Sequence, residues 1–201
     1  MLIDIAGAEK KLRQADFFLS YLKNAFKEIG YRSDLVNPEP LEFFFSACLS
    51  AAQSVYYVLD RTGGGDFKNL QNTWRAAIQE PLRSQFGWMI GLRDKDVHLA
   101  ATGAKPLPKY VADDQWTRSA SPYYQPAVYN TALFGPRPVI EQTNPDGTTV
   151  SGSTLRGTVG LYIDKDGRSI EAVTVCQEFI SQLRSLLDAV KERGIAEDAQ
   201  R

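Results

Sequence analysis

The sequence predicts a mainly α protein, an antiparallel helical bundle of about five helices with a small β-hairpin or sheet insertion before the C-terminal helix. Three observations carry this expectation. Apolar residues recur at alternating steps of three and four through most of the first hundred residues, the period of an amphipathic helix. Between about Thr102 and Ser153, seven prolines punctuate a stretch rich in Tyr, Thr and Gly, which argues against helix there. The helical period then returns from about Ile170 to Arg193.

Taken in order, the first helix carries the stripe Ile5, Ala8, Leu12, Ala15, Leu19, Leu22, Phe26 and Ile29, with Gly30 placed to end it. Asn37-Pro38-Glu39-Pro40 is a loop leading into a proline-permitted helix start. The second helix runs from about Glu39 to Asp60. Its stripe of Leu41, Phe45, Cys48, Leu49, Ala52, Val55, Tyr56 and Leu59 is widened by Phe44, Ala51 and Val58, so this helix is expected at the centre of the bundle. Gly63-Gly64-Gly65 lacks the lysine and hydroxyl of a phosphate-binding loop and reads as a flexible connector. A third helix follows from Asp66, its N-cap, to about Gln79, with Phe67, Leu70, Trp74, Ala77 and Ile78 facing inward. Pro81 opens a fourth, whose stripe is Leu82, Phe86, Met89, Ile90 and Val97.

In the insertion, Val139 to Thr143, Thr148 to Val150 and Thr154 to Ile163 read as short strands. Asn144-Pro145-Asp146-Gly147 is a hairpin turn, and Leu155, Val159, Leu161 and Ile163 alternate on one face. Asp164-Lys165-Asp166-Gly167 closes another turn; its spacing does not fit a calcium loop. The last helix carries Ala172, Cys176, Phe179, Leu183, Leu186 and Val190, with Gly194 as its expected stop. The chain thus reads as a single domain, residues 1–201, with the bundle at 1–101 and 168–195 and the insertion at about 102–167.

Composition excludes more than it assigns. At 201 residues, 43% apolar and 23% charged, the chain has the make-up of one ordinary globular domain. The longest apolar run, Leu41 to Leu59, is broken by Glu42, Ser46, Ser50, Gln53 and Ser54, and no basic-then-apolar signal precedes it. The expectation is a cytoplasmic protein without a membrane partner. Cys48 and Cys176 sit in apolar helical patterns as buried thiols rather than as a disulfide framework. Residues 1–60 hold 6 Lys/Arg against 8 Asp/Glu, residues 61–118 hold 9 against 6, and residues 119–201 hold 8 against 10. Only the middle third is net positive, far short of the basic excess of a dedicated duplex-DNA binder but compatible with a local polyanion site.

That middle third contains Arg93-Asp94-Lys95-Asp96-Val97-His98, with the only histidine of the chain. Arg93 lies four after Met89 and four before Val97, so a permanent charge interrupts the buried stripe. Such a group requires an anion, a wet cleft or a subunit interface; an ion pair with Glu42 or Asp60 is one bland solution. Asp94 and His98, four apart, share a helix face, where the carboxylate can orient the imidazole and raise its pKa. His98 can equally serve as a helix-end residue bonding terminal carbonyls. Arg93 and His98 are five apart, about 140° around an unbroken helix, and could converge only across a helix end or with a second subunit. One histidine and two distant cysteines supply no zinc site, and no nucleophile motif accompanies the histidine.

The order of a long amphipathic helix, a second helix reading Phe43-Phe44-Phe45-Ser46-Ala47-Cys48-Leu49-Ser50-Ala51-Ala52-Gln53-Ser54-Val55, a Trp-bearing third segment and then Leu92-Arg93-Asp94-Lys95-Asp96-Val97-His98 resembles the HEPN superfamily of helical-bundle proteins. The signature of that family is an arginine, a polar residue and a histidine after four to six intervening residues. The resemblance covers roughly residues 1–100 and the closing helix; the segment from about Thr102 to Ile163 lies outside it.

The resemblance implies a metal-independent endoribonuclease needing no cofactor, a toxin or defence effector whose two subunits build one cleft. In it His98 would move the proton of the ribose 2′-hydroxyl or of the leaving oxygen, Arg93 would bind the scissile phosphate, and Asp94 would orient, leaving 2′,3′-cyclic phosphate ends. It implies an RNA substrate, a homodimer, and an antitoxin or nucleotidyltransferase as partner. Beside the catalytic set, Lys95, Lys105, Lys109 and Arg118 are expected to contact RNA, with Trp116 stacking a base; Tyr123, Tyr124 and Tyr129 share that potential, or pack a loop over the bundle. The alternative function is a non-catalytic HEPN-like helical module acting in protein or nucleotide binding, with an edge of the insertion presented to a partner.

Overall fold

The computed structural model describes residues 3–29, 39–80, 82–99, 103–112, 139–152 and 155–198, without the side chains of 26–29, 93–99, 156, 158 and 194–198. Among the described residues there are four helices and five strands: α1 (Ile5–Ile29), α2 (Glu39–Ala77), α3 (Leu82–Leu99), β1 (Lys105–Ala112), β2 (Ile140–Thr143), β3 (Thr149–Gly152), β4 (Leu155–Lys165), β5 (Arg168–Glu171) and α4 (Ala172–Asp198). The expected fold class is therefore corrected. The protein is a mixed α/β chain with two small sheets rather than a five-helix bundle with a minor insertion. It divides into a helical unit, residues 1–22, 43–102 and 173–201, and a second unit, residues 23–42 and 103–172.

One source of the miscount is α2. The helices expected at 39–60 and 66–79 are two arms of one segment, broken in helical geometry at Gly64 (φ 53°, ψ −131°). In a straight helix Tyr56 and Gln71 would stand about 22 Å apart along the axis. Instead the Gln71 amide donates to the Tyr56 hydroxyl at 3.1 Å, so the second arm folds back on the first. A positive φ of this kind suits glycine alone. Gly64→Ala is expected to lower stability by about 1–3 kcal/mol, read as a shifted denaturant midpoint; an unchanged midpoint would show that the corner tolerates a side chain.

The expected stripe of α1 is the buried one, through Ala8, Leu12, Ala15, Leu19 and Leu22, while Phe26 and Ile29 have side chains outside the described set. Along α2, Leu41, Phe45, Cys48, Leu49, Ala51, Ala52, Val55 and Leu59 are buried, the wide arc expected of a central helix. The second arm buries Phe67, Leu70 and Trp74, whereas Ala77, expected inward, is exposed. In the helical unit, α1 and α4 are joined at their surface by Arg184–Asp16 (2.8 Å) and Lys191–Glu9 (2.8 Å). Lys191 beside Glu9 holds that carboxyl below its ordinary range, and the ammonium is raised in turn.

The second correction concerns strands. The prolines argue against helix at 105–112 and no strand is expected there, yet this segment is β1, the edge of a sheet ordered β1-β4-β5, antiparallel throughout. The reason is parity. The Asn144 side chain accepts from the Tyr110 amide (2.7 Å) and donates to the Tyr110 carbonyl (3.2 Å), so the backbone groups of Tyr110 point away from β4. Pro106 and Pro108, at even steps from Tyr110, also turn their missing N–H outward, where no ladder bond is lost. Asn144 is buried and also donates to Thr148 Oγ1. Asn144→Ala is expected to cost about 1–3 kcal/mol by stranding two backbone groups, and a Tyr110 amide still protected from hydrogen exchange would contradict this account.

The hairpin joining β2 and β3 turns at Asn144-Pro145-Asp146-Gly147 as expected, with Gly147 at φ 81° and Asp146 Oδ1 accepting from the Thr148 amide. β4 and β5 meet at a two-residue turn, Asp166 (φ 55°) and Gly167 (φ 77°), the paired positive angles that match strand twist. The expected one-sided alternation of β4 holds for Leu161 and Ile163, but Tyr162 between them is buried as well. The strand is thus covered on both faces there. The last helix begins two residues later than expected, because Ile170 is spent pairing with Ile163, and it continues past Gly194 to Asp198. A glycine costs a helix about 1 kcal/mol without ending it.

Candidate functional site

Helix α3 carries the signature residues, and its first turns are firmly anchored. Arg83 caps the second arm of α2, its guanidinium donating to the carbonyls of Arg75 (2.9 Å), Ala76 (3.3 Å) and Ile78 (3.0 Å). Phe86 is the aromatic hub of the helical unit, with ring centroids 5.2 Å from Trp74, 5.7 Å from Phe179 and 6.5 Å from Tyr56. The Arg75 guanidinium lies 5.6 Å from the Phe86 centroid, within cation–π range. Gln85 donates to Glu178 on α4, and Gln53 on α2 donates to the Ile90 carbonyl at 3.3 Å. The buried row is Phe86, Met89 and Leu92; Leu82, expected inward, is exposed.

Beyond Leu92 the backbone stays helical to Leu99, so Arg93, Asp94, Lys95 and His98 all lie on one unbroken helix. Their side chains lie outside the described set, as does that of Val97. The backbone alone fixes the angular offset of Arg93 and His98 at about 140°. No helix end intervenes between them.

The expected RNA-contact residues belong to different units. Lys95 is on α3 in the helical unit, and Lys105 and Lys109 are on β1 in the second unit. Lys105 is exposed; Lys109 is half-buried and ion-paired with Glu171. Trp116, Arg118, Tyr123, Tyr124 and Tyr129 lie outside the described residues.

A polar cluster that sequence reasoning missed sits in the second unit. Glu171, placed by the sequence in the last helix, is a buried residue of β5 holding Lys109. Tyr162 is 2% exposed, and among the described residues its hydroxyl has no hydrogen-bond partner. Burial, with Glu171 and Asp146 nearby, pushes that phenol above its ordinary value. Its ring lies over Gly160, where an added Cβ would meet Tyr162 at 2.6 Å. Asn144 was legible as a turn residue but not as the buried group bonding β1. A Tyr on the outward parity of β4 was the one available signal, and it reads equally as a surface ring.

Among the described residues no three His, Cys, Asp or Glu side chains gather into a metal-holding group, and no helix is long and apolar enough to cross a membrane. No protein-family model, curated protein or solved structure matches this chain.

Proposed function

We propose that the chain is a metal-independent HEPN-type endoribonuclease whose two-subunit site is built from Arg93, Asp94 and His98. The observation that carries this reading is the placement of an arginine four residues beyond the buried Met89, on a helix that continues without a break through His98. Arg93 binds the scissile phosphate, His98 transfers the proton and Asp94 orients the imidazole. Lys95 offsets part of the charge that Asp94 brings near the phosphate. Because one helix sets Arg93 and His98 about 140° apart, a second copy completes the site. The experiment is incubation of the purified chain with mixed cellular RNA in excess chelator, with product ends mapped. Cleavage leaving 2′,3′-cyclic phosphate supports the reading; intact RNA at every protein concentration sinks it.

A second reading, a non-catalytic module that binds a protein partner, draws on the hairpin of the second unit. Val139 is 71% exposed and Ile140 43% exposed, an apolar start to β2 that an added strand could cover. Intact RNA in the same experiment, together with a partner retained by the chain and lost on Ile140→Lys, would favour it.

A further inference from the structure

The outward side of α1 carries a row of exposed rings with cations along it. Phe17 is 53% exposed and Tyr21 46%. Their ring centroids lie 4.7 Å apart, and the Tyr21 ring meets that of Phe44 on α2 at 5.3 Å. Phe43, exposed next to Phe44, adds a ring at the same end of the helical unit. Single exposed rings need no explanation, but a contiguous row of them marks a surface that receives something.

The charge along the row indicates what it receives. At about 100° per residue, Lys10, Arg13, Phe17 and Tyr21 share about 80° of the helix circumference. Lys10 and Arg13 are exposed, and the Arg13 guanidinium keeps a long contact to Glu9 at 3.9 Å. Glu9 and Asp16 fall outside that arc, where Lys191 (2.8 Å) and Arg184 (2.8 Å) of α4 hold them. A second copy docked through the same face would set these cations against one another. An unpaired nucleic-acid strand suits both features, because its phosphates meet the cations and its bases stack on the rings.

The rings also stand level with the far end of α3. Gln53 donates to the Ile90 carbonyl (3.3 Å) and the Tyr56 and Phe86 rings meet at 6.5 Å, so α3 runs antiparallel to the first arm of α2. At 1.5 Å per residue, His98 lies about 12 Å beyond Ile90, and Phe44 about 13.5 Å beyond Gln53 in the same direction. We infer that Phe17, Tyr21 and Phe44, with Lys10 and Arg13, form a platform that stacks the unpaired bases of an RNA strand running to the Arg93–His98 end of α3. The platform's place in catalysis rests on the RNA-cleavage reading. A duplex keeps its bases inside the stack, out of reach of these rings.

The test separates binding from cleavage. A labelled RNA of about twelve nucleotides with 2′-O-methyl riboses lacks the attacking hydroxyl, so its anisotropy with the full chain at low salt reads binding alone. Phe17→Ala and Tyr21→Ala are each expected to weaken binding by roughly 5- to 100-fold, while Tyr21→Phe stays near wild type. Lys10→Gln and Arg13→Gln should each flatten the salt dependence. No binding by the wild-type chain, unchanged affinity in both alanine variants, or equal affinity for the annealed duplex would overturn the platform. A wild-type dimer that Phe17→Ala dissociates without changing RNA affinity would overturn it in favour of a contact between copies. Cleavage is read separately on unmodified RNA. Ring-dependent binding with intact RNA removes the nuclease and leaves a single-strand binding surface; His98-dependent cleavage with ring-independent binding removes the platform alone.

Discussion

His98→Ala is expected to reduce RNA cleavage by about 100- to 10,000-fold, the usual weight of a general acid–base group, with the fold unchanged. The chain has one histidine, so no second imidazole can take over its proton transfer. Arg93→Ala is expected to lose activity to a similar degree because, on the proposed mechanism, the phosphate loses a donor that can bind it bidentately. Arg93→Lys should recover only part, since an ammonium keeps the charge but not the planar fork. The wild-type activity should survive excess chelator, and both alanine variants should run as the same oligomer. This pairing separates the chain's own chemistry from a contaminating nuclease, whose cleavage neither variant would change. Equal cleavage by wild type and both variants would remove the Arg/His pair from any mechanism.

How much of this arrangement could be read from residues alone depends on the kind of signal. The helical stripes of α1 and the first arm of α2 were legible because eight apolar positions per helix repeat one period, and burial follows that period. The β2–β3 and β4–β5 turns were legible because positive φ values demand Gly and Asp at fixed places. β1 was not, since Pro106 and Pro108 signal a breaker unless one knows that they lie on an edge facing away from β4. Whether a glycine connector leaves two helices or one folded-back segment is set by a single pair of backbone angles at Gly64, which composition does not encode. The site divides the same way. That Arg93 and His98 belong to one helix was readable from the period, whereas the burial of Tyr162 and Glu171 depends on neighbours far apart in sequence.

The anchoring of α3 also bears on the proposed chemistry. A helix that presents catalytic groups near its end needs its earlier turns fixed, because small displacements of reacting groups are costly to rate. Here the Arg83 cap, the Gln85–Glu178 hydrogen bond and the Gln53 contact to Ile90 fix the helix on three sides, from both arms of α2 and from α4. These contacts restrict sliding and rotation of α3 without touching residues 93–98.

Phe86→Ala is expected to be the most destabilising single change in the helical unit, at about 3–5 kcal/mol, the usual range for truncating a fully buried phenylalanine. The ring is 1% exposed and meets Tyr56, Trp74 and Phe179 edge-on, so its removal leaves a cavity and also ends three aromatic contacts. The Arg75 guanidinium loses its ring partner as well. Phe86→Leu should fall between, retaining most of the apolar volume while losing the edge-to-face geometry. Denaturant unfolding followed by tryptophan emission reports the change, because Trp74 is buried against Phe86 and bonds Ser185 on α4 at 3.2 Å. A shift below about 1 kcal/mol for the alanine variant would mean that the surrounding rings collapse into the space, and the hub would then be a replaceable filler rather than the element that fixes α3. If the full shift is seen, Phe86→Ala should also depress RNA cleavage near the temperature at which the unit begins to unfold, while cleavage well below that temperature stays close to wild type. That temperature dependence distinguishes loss of the anchor from loss of a group that acts on the substrate, since on the proposed mechanism His98→Ala lowers activity at every temperature.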